Sequence, residues 1–453
     1  VHVRAKKDPA SHDPFAELKP PLSLDAALAE ANRCLACYDA PCTRACPTHI
    51  DVPGFIKRIA TGNLTGSART ILAANVFGAS CARVCPTEVL CEGACVFNHL
   101  GQRPIQIGLL QRHAMDAAMK RGLRPIERAA RRPGRVAIIG AGPAGLSCAA
   151  ELARLGIEAV VFEAGPRPGG LNTSGVAEYK QTAQFALDEI KWLVEAGGLD
   201  VRYGARVGTG AGEVSPASLE AEYDAVFIGV GLGRVGRLGV DGDGLPGVLD
   251  AIDFIEWVKL DRGRARAAAG SRMVVIGGGN TSIDVVTQAA RLGVPDVTLV
   301  YRRGLDEMPA YAHEVELAKA DGCRIVANAS PRRFVAGPDG RVAAVELDRT
   351  RVVDGALRPT GEAVTLAADC VVLATGQKPH GALFASLPGV AFDQGRVVIP
   401  DRATMQTTNP KWYAGGDCVS GGKEVVDAVA EGKRAAQAMA AAISVNQKEV
   451  ARG

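Results

Sequence analysis

The chain has 453 residues, with 52 lysines and arginines against 49 aspartates and glutamates, a formal net charge of +3. So small a balance gives no case for nucleic acid or a membrane surface as partner, and the longest apolar runs, near residues 225–233 and 370–376, fall far short of a membrane span. The length allows roughly two to four domains, and 53 glycines with few aromatics suit an α/β protein.

The first residues, Val1-His2-Val3-Arg4-Ala5-Lys6-Lys7, lack the apolar core of a signal peptide, so the cytoplasm is the expected location. Residues 1 to about 30 are polar and punctuated by proline, then faintly helical over 24–32. They read as an exposed arm or cover. Next comes a block holding eight of the twelve cysteines. Its first run is Cys34-x2-Cys37-x4-Cys42-x3-Cys46-Pro47; its second is Cys81-x3-Cys85-Pro86-x4-Cys91-x3-Cys95. Thiols clustered in a cytosolic chain bind metal rather than pair as disulfides. Three cysteines followed by Cys-Pro match an iron–sulfur cradle, in which the fourth cysteine commonly serves another cluster. Thiolates suit iron because they are soft donors. Structural zinc is the alternative, but it prefers paired CxxC knuckles, and only Cys34-x2-Cys37 has that spacing. Spacing alone makes Cys81 a candidate ligand. Apolar residues at helical intervals over 55–59, 67–74 and 104–119 predict a small helical domain stapled by clusters. Residues 121–134, rich in Arg and Pro, read as a linker.

A dinucleotide fingerprint follows. The buried-strand run 136–139 leads into Gly140-Ala141-Gly142-Pro143-Ala144-Gly145 and a small-residue helix over 146–155. The first glycine permits a tight turn, the second lets a pyrophosphate approach the backbone, and the third lets helix and strand pack closely. The strand 159–162 ends in Glu163, placed to accept hydrogen bonds from a ribose. Gly169, Gly170 and Leu171 form a loop through which backbone can approach a ligand. A further buried strand is expected over 223–230, with a sharp turn at Gly229-Val230-Gly231.

A second fingerprint begins at residue 273 and runs through Gly277-Gly278-Gly279-Asn280-Thr281-Ser282, a helix over 283–292 and a strand over 297–301. Here Ser282 replaces the third glycine. Arg302 and Arg303 stand where an acid would hold a ribose, and such a pair can grip a 2′-phosphate. A helix over 309–320 and alternating strands over 322–346 follow. The strand 370–374 runs into Thr375-Gly376. Near the end, a strand leads through Gly415 and Gly416 to Asp417, which can hydrogen-bond a ribityl chain. The helix beginning at Val425 can set its positive end against a flavin's pyrimidine edge. Cys148, Cys323, Cys370 and Cys418 read as packing residues.

The expected fold is therefore α/β: two Rossmann-like nucleotide-binding domains, one inserted in the other, preceded by a small all-helical domain with two iron–sulfur clusters. The boundaries fall at 1–130 for the helical part, 131–235 and 376–453 for the FAD domain, and 236–375 for the NAD(P) domain. A nicotinamide gives electrons in pairs and a cluster takes them singly, so FAD must stand between. Hydride transfer needs positioning rather than acid–base chemistry, so no catalytic residue is expected.

The cysteine blocks, CLACYDAPCTRACPT from Cys34 to Thr48 and CARVCPTEVLCEGAC from Cys81 to Cys95, resemble the electron-input half of dihydropyrimidine dehydrogenase, a separate subunit in bacteria. Glutamate synthase small subunits are cousins of the same plan. The resemblance covers residue 30 onward. It implies one [4Fe–4S] cluster on Cys34, Cys37, Cys42 and Cys95, and a second on Cys46, Cys85, Cys91 and the amide oxygen of Gln111, with Cys81 unligated. Lys180 stands near the flavin where the family often has Arg, which keeps the charge but not the fork geometry. Bacterial members use NADH, whereas Arg302-Arg303 suits NADPH, so the nucleotide stays open. The resemblance further implies a partner subunit holding FMN and its own iron–sulfur clusters, where uracil or thymine is reduced. Two other readings stand beside it. One is a glutamate synthase small subunit, ranked lower because those relatives lack Asp39-Ala40-Pro41-Cys42. The other is a flavoprotein NAD(P)H oxidoreductase whose cysteine domain is a zinc-stabilised interaction module.

Overall fold

The computed structural model describes residues 13–450, with side chains to residue 445. The first sheet has the order β15-β4-β1-β2-β3, from β1 (Arg135–Ile139), β2 (Glu158–Phe162), β3 (Asp200–Arg202), β4 (Ala225–Ile228) and β15 (Trp412–Ala414). All its pairings are parallel. β4 is buried at every position and β1 at all but its first, as a strand flanked and covered on both faces must be.

Between β4 and β15 the chain builds a second parallel sheet, order β5-β12-β6-β7-β8, from β5 (Val248–Asp250), β6 (Arg272–Gly277), β7 (Asp296–Val300), β8 (Arg324–Val326) and β12 (Cys370–Ala374). One nucleotide fold thus interrupts the other, as the two separated fingerprints imply. Side chains of the second sheet alternate by face. Met273, Val275, Leu299 and Val372 meet helices, while Val274, Ile276, Val300 and Val371 meet a three-stranded antiparallel sheet. That sheet is β9 (Ala329–Ala336), β10 (Val342–Val353) and β11 (Ala356–Ala367). A short hairpin, β13 (Phe392–Asp393) with β14 (Arg396–Val397), precedes β15.

Ahead of both sheets lie the cysteine-bearing helices. Side-chain caps start three of them: Ser23 for Leu24–Asn32, Asp51 for Val52–Ala60 and Asn63 for Leu64–Ala74. Helices Gly78–Val84 and Ile107–Lys120 follow. The last begins three residues later than its apolar spacing suggests, at Ile107. Phe55, Ile59, Ile71, Leu110 and Met115 are fully buried and share one continuous core with Val136, Ile138 and Leu146 of the first nucleotide fold.

The chain divides into two compact units. One comprises Lys19–Thr173, Gln184–Leu232 and the residues from Pro379 on; the other comprises Ser174–Ala183, Gly233–Lys378 and the described residues up to Leu18. The expected exposed arm is corrected at Phe15, which is buried in the core of the second unit among Phe254, Val285 and Ala289, under the Arg262 guanidinium at 4.5 Å. Residues 1–12 of that arm lie outside the described residues. Among the described residues, no helix is long and apolar enough to cross a membrane. Cys148, Cys323, Cys370 and Cys418 are buried free thiols, as expected of packing residues.

The helix Val425–Val450 packs hard against Pro143–Arg154. A Cβ on Gly432 would lie 2.1 Å from the Ala144 carbonyl oxygen, which belongs to helix backbone and cannot swing aside. Gly432→Ala should therefore cost about 1–3 kcal/mol as overpacking, read as a lower midpoint in thermal or urea unfolding.

Candidate functional site

Three segments far apart in sequence converge on the start of the helix Pro143–Arg154. A Cβ on Gly140 would meet the Gly229 carbonyl at 2.6 Å, one on Gly170 would meet Gly142 Cα at 3.4 Å, and one on Gly416 would meet Ala144 Cβ at 3.1 Å. Gly140 has φ +99 and Gly416 φ +79, in the left-handed half of the map that favours glycine. Gly145 packs its α-carbon on the Gly140 carbonyl, the close helix–strand contact the fingerprint requires. Pro143 takes the first helical position, where its missing N–H costs nothing, and the neighbouring N–H groups face the turn.

Two acids frame this cradle. Glu163 accepts from the backbone N–H groups of Ala141 (2.8 Å) and Gly165 (2.7 Å), fixing its carboxylate at the end of β2. Asp417 accepts from Lys423 N–H at 3.0 Å, and burial pushes its carboxyl above the usual range. Glu431, which sequence reading did not single out, accepts from Gly416 N–H at 2.7 Å and so locks the turn before Asp417. Leu171 opens a short helix, Leu171–Ser174, directly after Gly170, and Val425 opens the long C-terminal helix. A backbone turn stripped of side chains, a helix N-terminus and two placed carboxylates fit a flavin dinucleotide.

In the second unit, Gly277 lies against the Ala374 carbonyl and Gly278 against the Tyr301 ring, where an added Cβ would sit 2.5 and 2.3 Å away. Gly279 opens on free space. Ser282, the departure from the fingerprint, fits by turning its hydroxyl to the Gly279 carbonyl at 2.6 Å. Asn280 and Thr281 start the helix Asn280–Arg291, and Asn280 Oδ1 accepts from Tyr311 N–H at 2.9 Å. Arg302 is exposed just past β7, and Arg303 lies 3.8 Å from Glu307. Gly376, φ +105, follows β12 with open space beside it. Lys180 groups with this unit rather than with the first cradle. Its ammonium sits between Asp284 (2.8 Å) and Glu314 (2.6 Å), and their charges outweigh desolvation and hold its pKa up.

The thiols form two neighbourhoods. Burial, then the nearby Cys37 and Cys95, push the Cys34 thiol up; burial, then Cys34 and Cys95, push Cys42 to about 11. In the other neighbourhood a hydrogen bond with Cys81, burial, and the thiols Cys91 and Cys46 raise Cys85, while burial, Glu92, Cys46 and, from the first neighbourhood, Cys42 raise Cys91. Gln111 is buried, its amide nitrogen donating at 2.7 Å to the carbonyl of Gly78, which opens the helix that carries Cys81 and is capped by Cys85; the amide oxygen is left as the acceptor. Cys81 already accepts from Asn75 Nδ2 at 3.2 Å. Binding a cationic iron centre would deprotonate the raised thiols of Cys34, Cys42, Cys85 and Cys91. Among the described residues, no three His, Cys, Asp or Glu side chains converge as a single ion would require.

Comparison with known proteins follows the same division. The family described as dihydropyrimidine dehydrogenase domain II, 4Fe-4S cluster, matches residues 11–123, and pyridine nucleotide-disulphide oxidoreductase matches residues 134–432. The chain belongs to the pyridine nucleotide-disulphide oxidoreductase family. It is an NAD(P)H-dependent flavin and iron–sulfur oxidoreductase that transfers electrons. Relatives of this family member include the glutamate synthase [NADPH] small chain of Escherichia coli K12, 35% identical over 93% of this chain and 92% of that one. The NAD-dependent dihydropyrimidine dehydrogenase subunit PreT of Salmonella typhimurium LT2 is 36% identical over 93% of this chain and 96% of PreT. The oxidoreductase named AegA of E. coli K12 is 36% identical over 93% of this chain but only 66% of its own length, so the chain spans about two thirds of AegA. Among solved structures, Mycobacterium tuberculosis FprA in complex with NADPH superposes with TM-score 0.57 at 22% identity, over 71% of this chain and 86% of FprA, a likeness of fold.

Two measurements examine these sites. Anaerobically prepared protein should carry about eight irons and as many sulfides per chain; Gln111→Ala should alter the spectrum of one cluster while Cys81→Ser leaves both intact, and the reverse result rejects Gln111 as a ligand. Arg302→Ala should raise the KM for NADPH about tenfold and leave that for NADH within about twofold, read from steady-state turnover with a dye acceptor.

Proposed function

We propose that the chain is the electron-input subunit of a dihydropyrimidine dehydrogenase, oxidising NADH or NADPH and delivering electrons to a partner subunit that holds FMN. The observation that carries this reading is the placement of two thiol neighbourhoods in the same compact unit, and on the same continuous core, as the first dinucleotide cradle. When bound there, FAD supplies the conversion of electron pairs into single electrons.

The protein's residues have the task of holding and orienting. Gly140, Gly142 and Gly145 with the helix N-terminus at Pro143 and Ala144 receive the pyrophosphate; Glu163 takes the ribose; Gly170 and Leu171, Gly416 and Asp417, and the helix start at Val425 enclose the remainder. Gly277, Gly279, Asn280, Thr281, Arg302, Arg303 and Gly376 receive the nicotinamide dinucleotide. Cys34, Cys37, Cys42 and Cys95 hold one [4Fe–4S] cluster, and Cys46, Cys85, Cys91 and Gln111 the other. On this reading the functional boundaries lie near residues 130, 235 and 375.

The dihydropyrimidine reading rests on Asp39-Ala40-Pro41-Cys42 and the second cysteine block. The glutamate synthase reading is kept because relatives of both kinds match at 35–36% identity. Mixing the purified chain with each candidate large subunit separates them. NAD(P)H oxidation should become uracil-dependent with an FMN-barrel partner and stay independent of glutamine. The chain alone should oxidise no NAD(P)H in response to uracil; if it does, the division of labour between subunits is wrong.

A further inference from the structure

The helix Gly78–Val84 carries Cys81 and is capped by Cys85, and its first turn is held by a side chain from a distant part of the chain. Glu189, on the helix Ala183–Lys191, is completely buried. One carboxylate oxygen accepts from the N–H groups of Ala79 (2.9 Å) and Ser80 (3.1 Å); the other accepts from Ser80 N–H (3.1 Å) and from the Ser80 hydroxyl. Asn172 Nδ2 donates to the same hydroxyl at 3.0 Å, and Asn172 lies two residues beyond Gly170, which rests on Gly142. Gly78, at the other side of this turn, accepts from Gln111. A run of hydrogen bonds therefore leads from the first dinucleotide cradle through Asn172, Ser80 and Glu189 to the helix turn that abuts the second thiol neighbourhood. Beside it, Arg83 of the same helix stacks on Phe185 at 3.5 Å and pairs with Asp116 at 2.9 Å, and its charge also favours the ionised form of Glu189.

Burying a carboxylate here is costly, and a neutral glutamine would satisfy much of the same geometry at less expense. The charge therefore calls for a reason beyond holding the turn. A buried anion next to a redox group opposes the arrival of an electron, and in a medium of low dielectric it acts over several ångströms. The potential of an iron–sulfur cluster follows the charge and hydrogen bonding around it. We propose that Glu189 is a positioning residue for electron transfer: it seats the Ser80 turn between the flavin cradle and the Cys46/Cys85/Cys91/Gln111 cluster, and its charge lowers the potential of that cluster relative to the other. The inference rests on the iron–sulfur reading above.

Glu189→Gln removes the charge and keeps the shape; Ser80→Ala removes the hydroxyl shared with Asn172 and keeps the charge. Each holoenzyme is titrated potentiometrically with EPR detection at pH 8, above the value of about 7 to which burial pushes the Glu189 carboxyl. Iron, sulfide and flavin contents are measured first. Glu189→Gln should keep wild-type cofactor contents and raise the potential of one cluster only, the one whose spectrum Gln111→Ala alters. Ser80→Ala should move that potential less than Glu189→Gln does. If both potentials stay unchanged, or both move equally, the assignment is overturned. If Glu189→Gln loses its iron while Ser80→Ala keeps it and shows no shift, the role is only structural and the proposal again fails. Absence of iron from the wild-type protein would instead defeat the iron–sulfur reading itself, a result distinct from any of these.

Discussion

The arrangement depends on one apolar core that does not stop at the edge of the cysteine helices. A helical stretch of this size buries little surface alone. Phe55, Ile59, Ile71, Leu110 and Met115 gain their burial by joining Val136, Ile138 and Leu146 in one cluster. Iron held by such helices is then fixed in distance from the first dinucleotide cradle, because close-packed interiors do not slide. Electron transfer needs that fixity more than it needs any reactive side chain.

Glycine supplies the second constraint. Backbones approach at Gly140 and Gly229, at Gly142 and Gly170, and at Ala144 and Gly432, all around one helix start. Each approach leaves no room for a side chain, and a helix start clear of side chains can present its backbone N–H groups to a diphosphate. The second cradle does this with a variation. Ser282 occupies the third glycine position at no loss, since its hydroxyl returns to the Gly279 carbonyl within the same turn.

Charge is buried sparingly and always in company. Lys180 bridges Asp284 and Glu314, and Lys259 meets Glu178 at 3.2 Å, all within the second unit. Glu189 is held directly by backbone N–H groups and a hydroxyl, with the Arg83 charge close enough to favour its ionised form. Such a site leaves the anion available to act electrostatically on its neighbours.

The chain order of strands, both fingerprints, the insertion of one nucleotide fold in the other and the cysteine spacing could all be read along the sequence. Each is a local pattern: a run of apolar residues, glycines at fixed offsets, thiols a few residues apart. The sequence did not reveal that Phe15 is buried in the second unit, since nothing near it is periodic. Nor did it show that Lys180, which the resemblance puts near the flavin, pairs with Asp284 and Glu314, more than a hundred residues away. It gave no sign of Glu189, whose neighbours along the chain are those of any amphipathic helix. A local pattern determines which element forms and which cofactor chemistry its residues suit. Which charges end up out of water, and which thiols face one another, depends on contacts between segments distant in sequence, and only the packed tertiary structure decides those.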